Sequence, residues 1–212
     1  MQVENKYSTL NTLWAQLLIE ELVRCGVEYF CVAPGSRSAP LAIAVANNSR
    51  AKSIVHFDER GLGFYALGLT VATQKPTVII TTSGTATANL FPSIIEASKK
   101  KLPLIILTAD RPPELRSAGA NQTIDQIKIF GDYVRFFFDM PCPTDEIKPE
   151  MVLTTIDQAV FRAKGELPGP VHLNCMFREP LSPNQTSKDF SLYLQSIKNW
   201  QIGNKPYTHY IK

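Results

Sequence analysis

Short runs of strand length recur along this chain: the largely apolar Tyr29 to Ala33 (YFCVA), Thr77 to Thr82 (TVIITT) and Leu104 to Ala109, and also Val171 to Asn174. Runs without polar alternation belong to strands buried on both faces. Helix-like segments lie between them. From Ser8 to Gly26, Leu10, Leu13, Trp14, Leu17, Leu18 and Leu22 recur at three- and four-residue steps, with Ser8 or Asn11 as cap and Gly26 as stop. Pro149 to Lys164 repeats the pattern with Met151, Val152, Ile156, Ala159, Val160 and Ala163. A helix opens near Pro40, capped by Ser36 or Ser38; another runs from Glu59 to about Gln74, and a third covers SGTATANLFPSIIEASKKK. Ile54 to Phe57 and Val134 to Phe138 complete six strands, with a short helix near Asp125 to Phe130. This alternation predicts an α/β fold: a doubly wound, six-stranded parallel sheet with helices on both faces. After Glu179 the periodicity fades, so residues 1–180 read as one domain and 181–212 as a linker toward a domain absent from this chain.

The stretch SIVHFDERGLGFYALGL, Ser53 to Leu69, places Asp58 and Glu59 where a strand ends and a helix begins. Acids in a first helical turn complement its free N–H groups. That accounts for a Glu anywhere in the turn, but not for a carboxylate at the carboxyl end of a strand read as buried, which is where open α/β sheets place their ligands. Three other loops at such ends are polar. PGSRS offers Ser36, Arg37 and Ser38 at a helix start, an anion site in which an arginine can grip a carboxylate with two parallel bonds. TTSGTATAN offers Ser83, Gly84 and Thr85, which simple capping also explains. ADRPPEL and GANQT offer Arg111, Asn121 and Gln122 in a long irregular loop.

Several function classes are disfavoured. A net charge of +3 is too small to argue for nucleic acid. Cys25, Cys31, Cys142 and Cys175 form no CxxC pair, and His56, His172 and His209 are scattered, so no zinc set is visible. The first residues carry no signal-peptide core and no apolar run reaches membrane-spanning length, so a cytoplasmic protein with reduced thiols is expected. GLGFYALG does not match GxGxxG, and there is neither GxxxxGK[ST] nor GxSxG.

PGSRSAPL, HFDERGLGFYALGL, TTSGTATANLFPSIIEA, LTADRPPELR and GANQTIDQ, in this order, closely resemble the amino-terminal, pyrimidine-binding domain of the MenD family. These are thiamine-diphosphate-dependent transferases of menaquinone biosynthesis. The resemblance runs from about Thr9 to Pro180. It implies a carboligase that decarboxylates 2-oxoglutarate and adds the resulting succinyl carbanion to isochorismate. It implies Glu59 as the catalytic partner of N1′ of the cofactor's aminopyrimidine, and Ser83, Gly84, Thr85 and Asn89 as cofactor-lining residues. Ser36, Arg37, Arg111, Asn121 and Gln122 are implied to receive the substrate carboxylates. The family's metal motif, GDG followed downstream by Asn, is absent here, so Mg2+ or Mn2+ would be held by a missing diphosphate-binding domain. The family's sites lie between subunits, which implies a homodimer or homotetramer and an inactive isolated fragment. The competing expectation is a non-catalytic small-acid-binding or assembly domain of the same fold, and a carboxylate at position 59 favours the enzyme.

Overall fold

The computed structural model describes residues 3–183 and 186–210. Six strands form one parallel sheet: β2 (Tyr29–Val32), β3 (Lys52–Val55), β4 (Thr77–Thr81), β5 (Leu104–Asp110), β6 (Phe136–Met140) and β7 (Val171–Met176), in the spatial order β3-β2-β4-β5-β7-β6. A two-stranded antiparallel ribbon joins β1 (Lys6–Tyr7) to β8 (Lys188–Asp189). The helices are α1 (Leu10–Arg24), α2 (Ala39–Ala46), α3 (Glu59–Thr73), α4 (Thr85–Ala88), α5 (Phe91–Lys99), α6 (Pro149–Lys164) and α7 (Lys198–Ile202). The doubly wound parallel sheet expected from the apolar runs is what forms.

Strand alternation sorts the core into two layers. Val78 and Ile80 of β4, and Ile105, Leu107 and Ala109 of β5, pack with α1, α2 and α6 through Leu13, Leu17, Leu41, Val152 and Ile156. Ile79 of β4, and Leu104 and Ile106 of β5, face the other way, against Leu62, Ala66, Ile94 and Ala97 of α3 and α5. On that second side α3 and α5 approach closely: a Cβ at Gly63 would lie 2.2 Å from Ser93 Oγ. Only a residue without a side chain fits there.

The structure corrects several local expectations. β3 begins two residues earlier than Ile54 and is an edge strand rather than a buried one, with Val55 68% and Phe57 87% exposed. It pairs only with β2, so apolar composition there does not mean burial. Thr9, rather than Ser8 or Asn11, caps α1, exchanging bonds with Thr12, while Asn11 donates to the carbonyls of Arg178 and Pro180. The helix expected from Ser83 onward is split at Leu90, because Pro92 lacks an N–H and cannot continue a preceding helix. No helix forms at Asp125 to Phe130: Lys128 takes φ 53° and a 3-10 turn follows at Gly131–Tyr133. β6 lies two residues later than Val134 to Phe138.

The stretch after Glu179, expected as a linker, packs back onto the domain. Leu194, Ile197 and Trp200 are buried in the core layer of α1 and α6. Arg24 lies 3.9 Å over the Trp200 ring. Beneath them sit two buried acids. Glu21 accepts from Trp200 Nε1 and from the Tyr207 amide, and Asp157 accepts from the Thr208 amide at 2.7 Å and from Cys25 Sγ at 3.3 Å. Burial, and then the neighbouring Asp157, push the Glu21 carboxyl up to about 8.

A carboxyl whose folded value lies above its unfolded one keeps its proton in the folded chain while the unfolded chain loses it. The Glu21 contribution to stability should therefore be fully present below about pH 4.5, fall as pH rises, and be lost above about 8, while His172, buried and neutral, acts in the opposite direction as pH drops below 6.5. Glu21→Gln should flatten that part of the profile, since an amide does not titrate. Urea unfolding midpoints across this range for both proteins provide the measurement, and equal slopes would refute the assignment.

Candidate functional site

From β2 the chain crosses to β3 on one side, and from β3 it crosses back to β4 on the other. The winding direction therefore reverses between β2 and β4, and a crevice opens beyond their carboxyl ends, the usual ligand position in such sheets. The loop after β2 and the loop after β4 flank it. They touch where the Gly35 backbone meets the Thr82 side chain: a Cβ on Gly35 would fall 2.3 Å from Thr82 Cβ. Ser38 stands at the cap position of α2, but its hydroxyl donates to Gly35 O at 3.0 Å and leaves the first amides of α2 without a side-chain cap.

Beyond β4 the turn is built around Ser83 and Gly84. Ser83 Oγ donates to Gln122 O at 3.1 Å and accepts from Arg111 Nη1, which also donates to Gln122 O at 2.7 Å. Gln122 Nε2 returns a bond to Ser83 O at 3.0 Å. Gly84 takes φ 81°, and a Cβ there would lie 2.9 Å from Gln122 Cγ. Three of the expected residues from two distant loops, Ser83, Arg111 and Gln122, are thus one hydrogen-bonded cluster. Thr85 opens α4 and is exposed, as are Ser36 and Asn121 at the loop tips.

Beneath this cluster lies a buried polar network. Gly84 N donates to Gln126 Oε1 at 2.8 Å, and Gln126 Nε2 donates to Asn174 Oδ1 at 2.8 Å. Asn174 Nδ2 donates to Asp110 Oδ2 at 2.9 Å and to Asp139 Oδ1 at 2.8 Å. Arg116 Nη2 bridges the two carboxylates at 3.4 and 3.2 Å. Thr108 Oγ1 donates to Asn174 Oδ1 at 2.9 Å, so it accepts from His172 Nε2 at 2.7 Å. Burial holds His172 down at about 3, so its imidazole is neutral, and raises the Asp110 carboxyl above its ordinary value. Sequence reading passed over Asp110, Gln126, His172 and Asn174. Their signal was present for three of them: Asp110 in LIILTAD, and His172 and Asn174 in VHLNCM, alternate with apolar residues on strands buried on both faces.

Glu59 is the first residue of α3 and half-buried. The capping role belongs to Asp58, whose Oδ1 accepts from the amides of Arg60 at 2.9 Å and Gly61 at 3.3 Å. Glu59 is therefore not needed for the helix start. Its Oε2 accepts from Asn89 Nδ2 at 3.4 Å, and it makes no ion pair among the described residues. Arg37 is 8% exposed; Nη1 donates to Phe177 O at 2.9 Å, Nη2 lies 3.6 Å from Glu179, and Nε has no partner among the described residues. Burial, and then the like charge of Arg111, lower the Arg37 value, so the two arginines share one electrostatic neighbourhood. A cavity of about 460 Å³ lies away from these groups, between α1, α2 and β1, and is lined by Tyr7, Thr12, Gln16 and Ile43. Among the described residues no helix is long and apolar enough to cross a membrane.

Residues 13–129 match the family model described as thiamine pyrophosphate enzyme, N-terminal TPP binding domain. A protein of Salinibacter ruber named 2-succinyl-5-enolpyruvyl-6-hydroxy-3-cyclohexene-1-carboxylate synthase is 55% identical over 198 residues, 93% of this chain and 33% of that protein. A protein of Psychromonas ingrahamii with the same name is 51% identical over 98% of this chain and 36% of its own length. Protein PHYLLO, chloroplastic, of Arabidopsis thaliana is 52% identical over 97% of this chain and 12% of its own length. The chain thus spans about a third of the length of the two bacterial relatives.

Gly84 carries both a left-handed φ and a crowded Cβ position. Gly84→Ala should destabilise the chain by roughly 1–3 kcal/mol, the cost of holding a side chain in such backbone. Chemical denaturation reads this directly, and a shift within about 0.5 kcal/mol would mean that the turn relaxes freely.

Proposed function

The chain belongs to the family of thiamine pyrophosphate enzyme N-terminal TPP-binding domains, and on that premise we propose that it is the pyrimidine-binding part of a 2-succinyl-5-enolpyruvyl-6-hydroxy-3-cyclohexene-1-carboxylate synthase. Its whole reaction is the decarboxylation of 2-oxoglutarate and the joining of the succinyl fragment to isochorismate. The observation that carries the reading is the division of labour at α3: Asp58 caps the helix, and the Glu59 carboxylate is left with Asn89 alone. That carboxylate fits the cofactor. An oxygen without a strong partner can accept from a protonated ring nitrogen, which is what N1′ of an aminopyrimidine requires.

When bound, the thiazolium ring supplies the electron sink for loss of carbon dioxide. With the cofactor bound, Glu59 would hold a proton at N1′ of the aminopyrimidine, and Ser83, Gly84, Thr85 and Asn89 would line that ring. Arg111, its plane set by Ser83 Oγ and Gln122 O, turns its remaining donors toward a carboxylate. Arg37, with Ser36, Asn121 and Gln122, extends the same anion-receiving surface. Mg2+ or Mn2+ belongs to a diphosphate-binding part outside this chain. The one group of three potential metal ligands gathered closely among the described residues, Glu21, Cys25 and Asp157, has its carboxyl oxygens taken by amides, the Trp200 indole and a thiol.

Val55, Phe57, Phe64 and Tyr65 flank Glu59 in sequence and are 68%, 87%, 44% and 48% exposed. Exposed aromatic groups of this kind favour a covering partner, and a homodimer or homotetramer whose second copy completes the site is part of the proposal. A cytoplasmic setting is also part of it, supported by four free cysteines.

In the complete gene product, Glu59→Gln should lower turnover about a hundredfold or more with cofactor saturating, because an amide cannot stabilise a protonated N1′. Arg37→Ala and Arg111→Ala should weaken use of 2-oxoglutarate or isochorismate roughly tenfold to a hundredfold while sparing cofactor affinity, and Arg→Lys should rescue poorly. Steady-state kinetics with both substrates and thiamine diphosphate decide this; near wild-type turnover in Glu59→Gln would remove that residue from the reaction. The 212-residue chain by itself should bind thiamine diphosphate weakly and turn nothing over, as calorimetry and a 2-oxoglutarate consumption assay would show.

A further inference from the structure

Gln126 touches both halves of the site without belonging to either. Its side chain is fully buried, so water cannot replace its bonds. Oε1 accepts from Gly84 N at 2.8 Å, while Nε2 donates to Asn174 Oδ1 at 2.8 Å and to Ala109 O at 3.3 Å. The orientation of both amides follows from chemistry. Gly84 N can only donate, and the carboxylates of Asp110 and Asp139 can only accept from Asn174 Nδ2 while ionised. Turning either amide over would set donor against donor and acceptor against acceptor. Asp110 Oδ1 in turn accepts from the backbone N–H of Arg111 at 2.7 Å. A short chain of bonds therefore runs from the Gly84 turn through Gln126, Asn174 and Asp110 to the residue whose guanidinium grips Ser83.

We infer that Gln126 is a positioning residue: its buried amide holds the Gly84 turn at a fixed distance from the strand ends that carry Arg111, so that one side chain sets the spacing between the cofactor-lining backbone and the substrate arginine. What the turn and the arginine bind rests on the functional reading above; the mechanical link does not. A leucine would fill the same space but leave Gly84 N–H buried and unpaired and leave Asn174 Oδ1 with Thr108 as its one donor, and in the turn, already at φ 81°, that N–H has no other partner among the described residues.

The test uses the complete gene product and two variants. In Gln126→Leu, hydrogen exchange followed by mass spectrometry should quicken about tenfold or more in the peptide spanning residues 82–90. The half-saturating concentration of thiamine diphosphate should rise about tenfold, while exchange around Trp200 stays at the wild-type rate. In Gln126→Glu, burial favours the neutral acid, which offers a carbonyl to Gly84 and an O–H to Asn174. Cofactor use should then lie within about threefold of wild type near pH 6 and fall toward the leucine variant near pH 8.5, as the carboxyl ionises against Asn174 Oδ1, Asp110 and Asp139; wild type should lack that decline. Unchanged exchange at residues 82–90 in Gln126→Leu overturns the inference. So does a Gln126→Glu protein as impaired at pH 6 as the leucine variant, or one with wild-type cofactor use at both pH values. If Gln126→Leu loses protection everywhere, Gln126→Glu still decides. If wild type makes no use of thiamine diphosphate, the functional reading fails, while the exchange result continues to test the link.

Discussion

Strands buried on both faces leave a chain little freedom over where its polar chemistry goes. β4, β5 and β7 are buried along their whole lengths, so polar side chains on them must find partners in one another or in segments laid over the sheet, or go without. All three outcomes occur here. Thr108, His172 Nε2 and Asn174 bond one another within the sheet, Gln126 enters from the loop above, and His172 Nδ1 and the hydroxyls of Thr77 and Thr81 have no partner among the described residues. Groups that must meet ligands are expelled to the strand ends, and the reversal of winding between β2 and β4 gathers those ends into one crevice.

The site is economical in how it separates structural and chemical duties. At α3 one acid caps the helix and its neighbour is free. At the β4 turn a glycine takes the strained backbone and the close approach to Gln122, so the adjacent serine is placed to meet Arg111. Arg37 spends one nitrogen on Phe177 O and keeps its side chain buried, which fixes its direction without consuming all its donors. Each arrangement freezes a polar side chain before a ligand arrives, and so lowers the ordering cost that binding must overcome.

Much of this was legible in the residues. TVIITT and the run from Leu104 read as strands buried on both faces and are so buried, and the 3.6-residue repeats of α1 and α6 match the helices that form. Residues Glu59, Ser83 and Arg111 stood out as candidates because they lie where strands end. Less legible was anything decided by neighbours distant in sequence. Ile54 to Phe57 has the composition of an interior strand, and only the sheet order shows it at the edge. Gln126 sits in a polar loop and looks solvated until Gly84 and Asn174 are brought to it. The stretch after Glu179 seemed structureless because its anchors are sparse, yet Leu194, Ile197 and Trp200 recur every third residue, as a 3-10 turn over Gln195–Ile197 runs into α7.

That last stretch changes how the domain comes apart. Its start is zipped to β1 through Lys6 and Tyr7, and its end is pinned under α1 and α6 by the shared acids. Neither segment can leave alone: lifting β8 frees β1 as well, and pulling out Trp200 uncovers Glu21 and the packed faces of both helices. The two segments are tied to one another. Loss of order should therefore reach the first helix and the last at the same moment, and the loops over the crevice can open without loosening the frame that carries them.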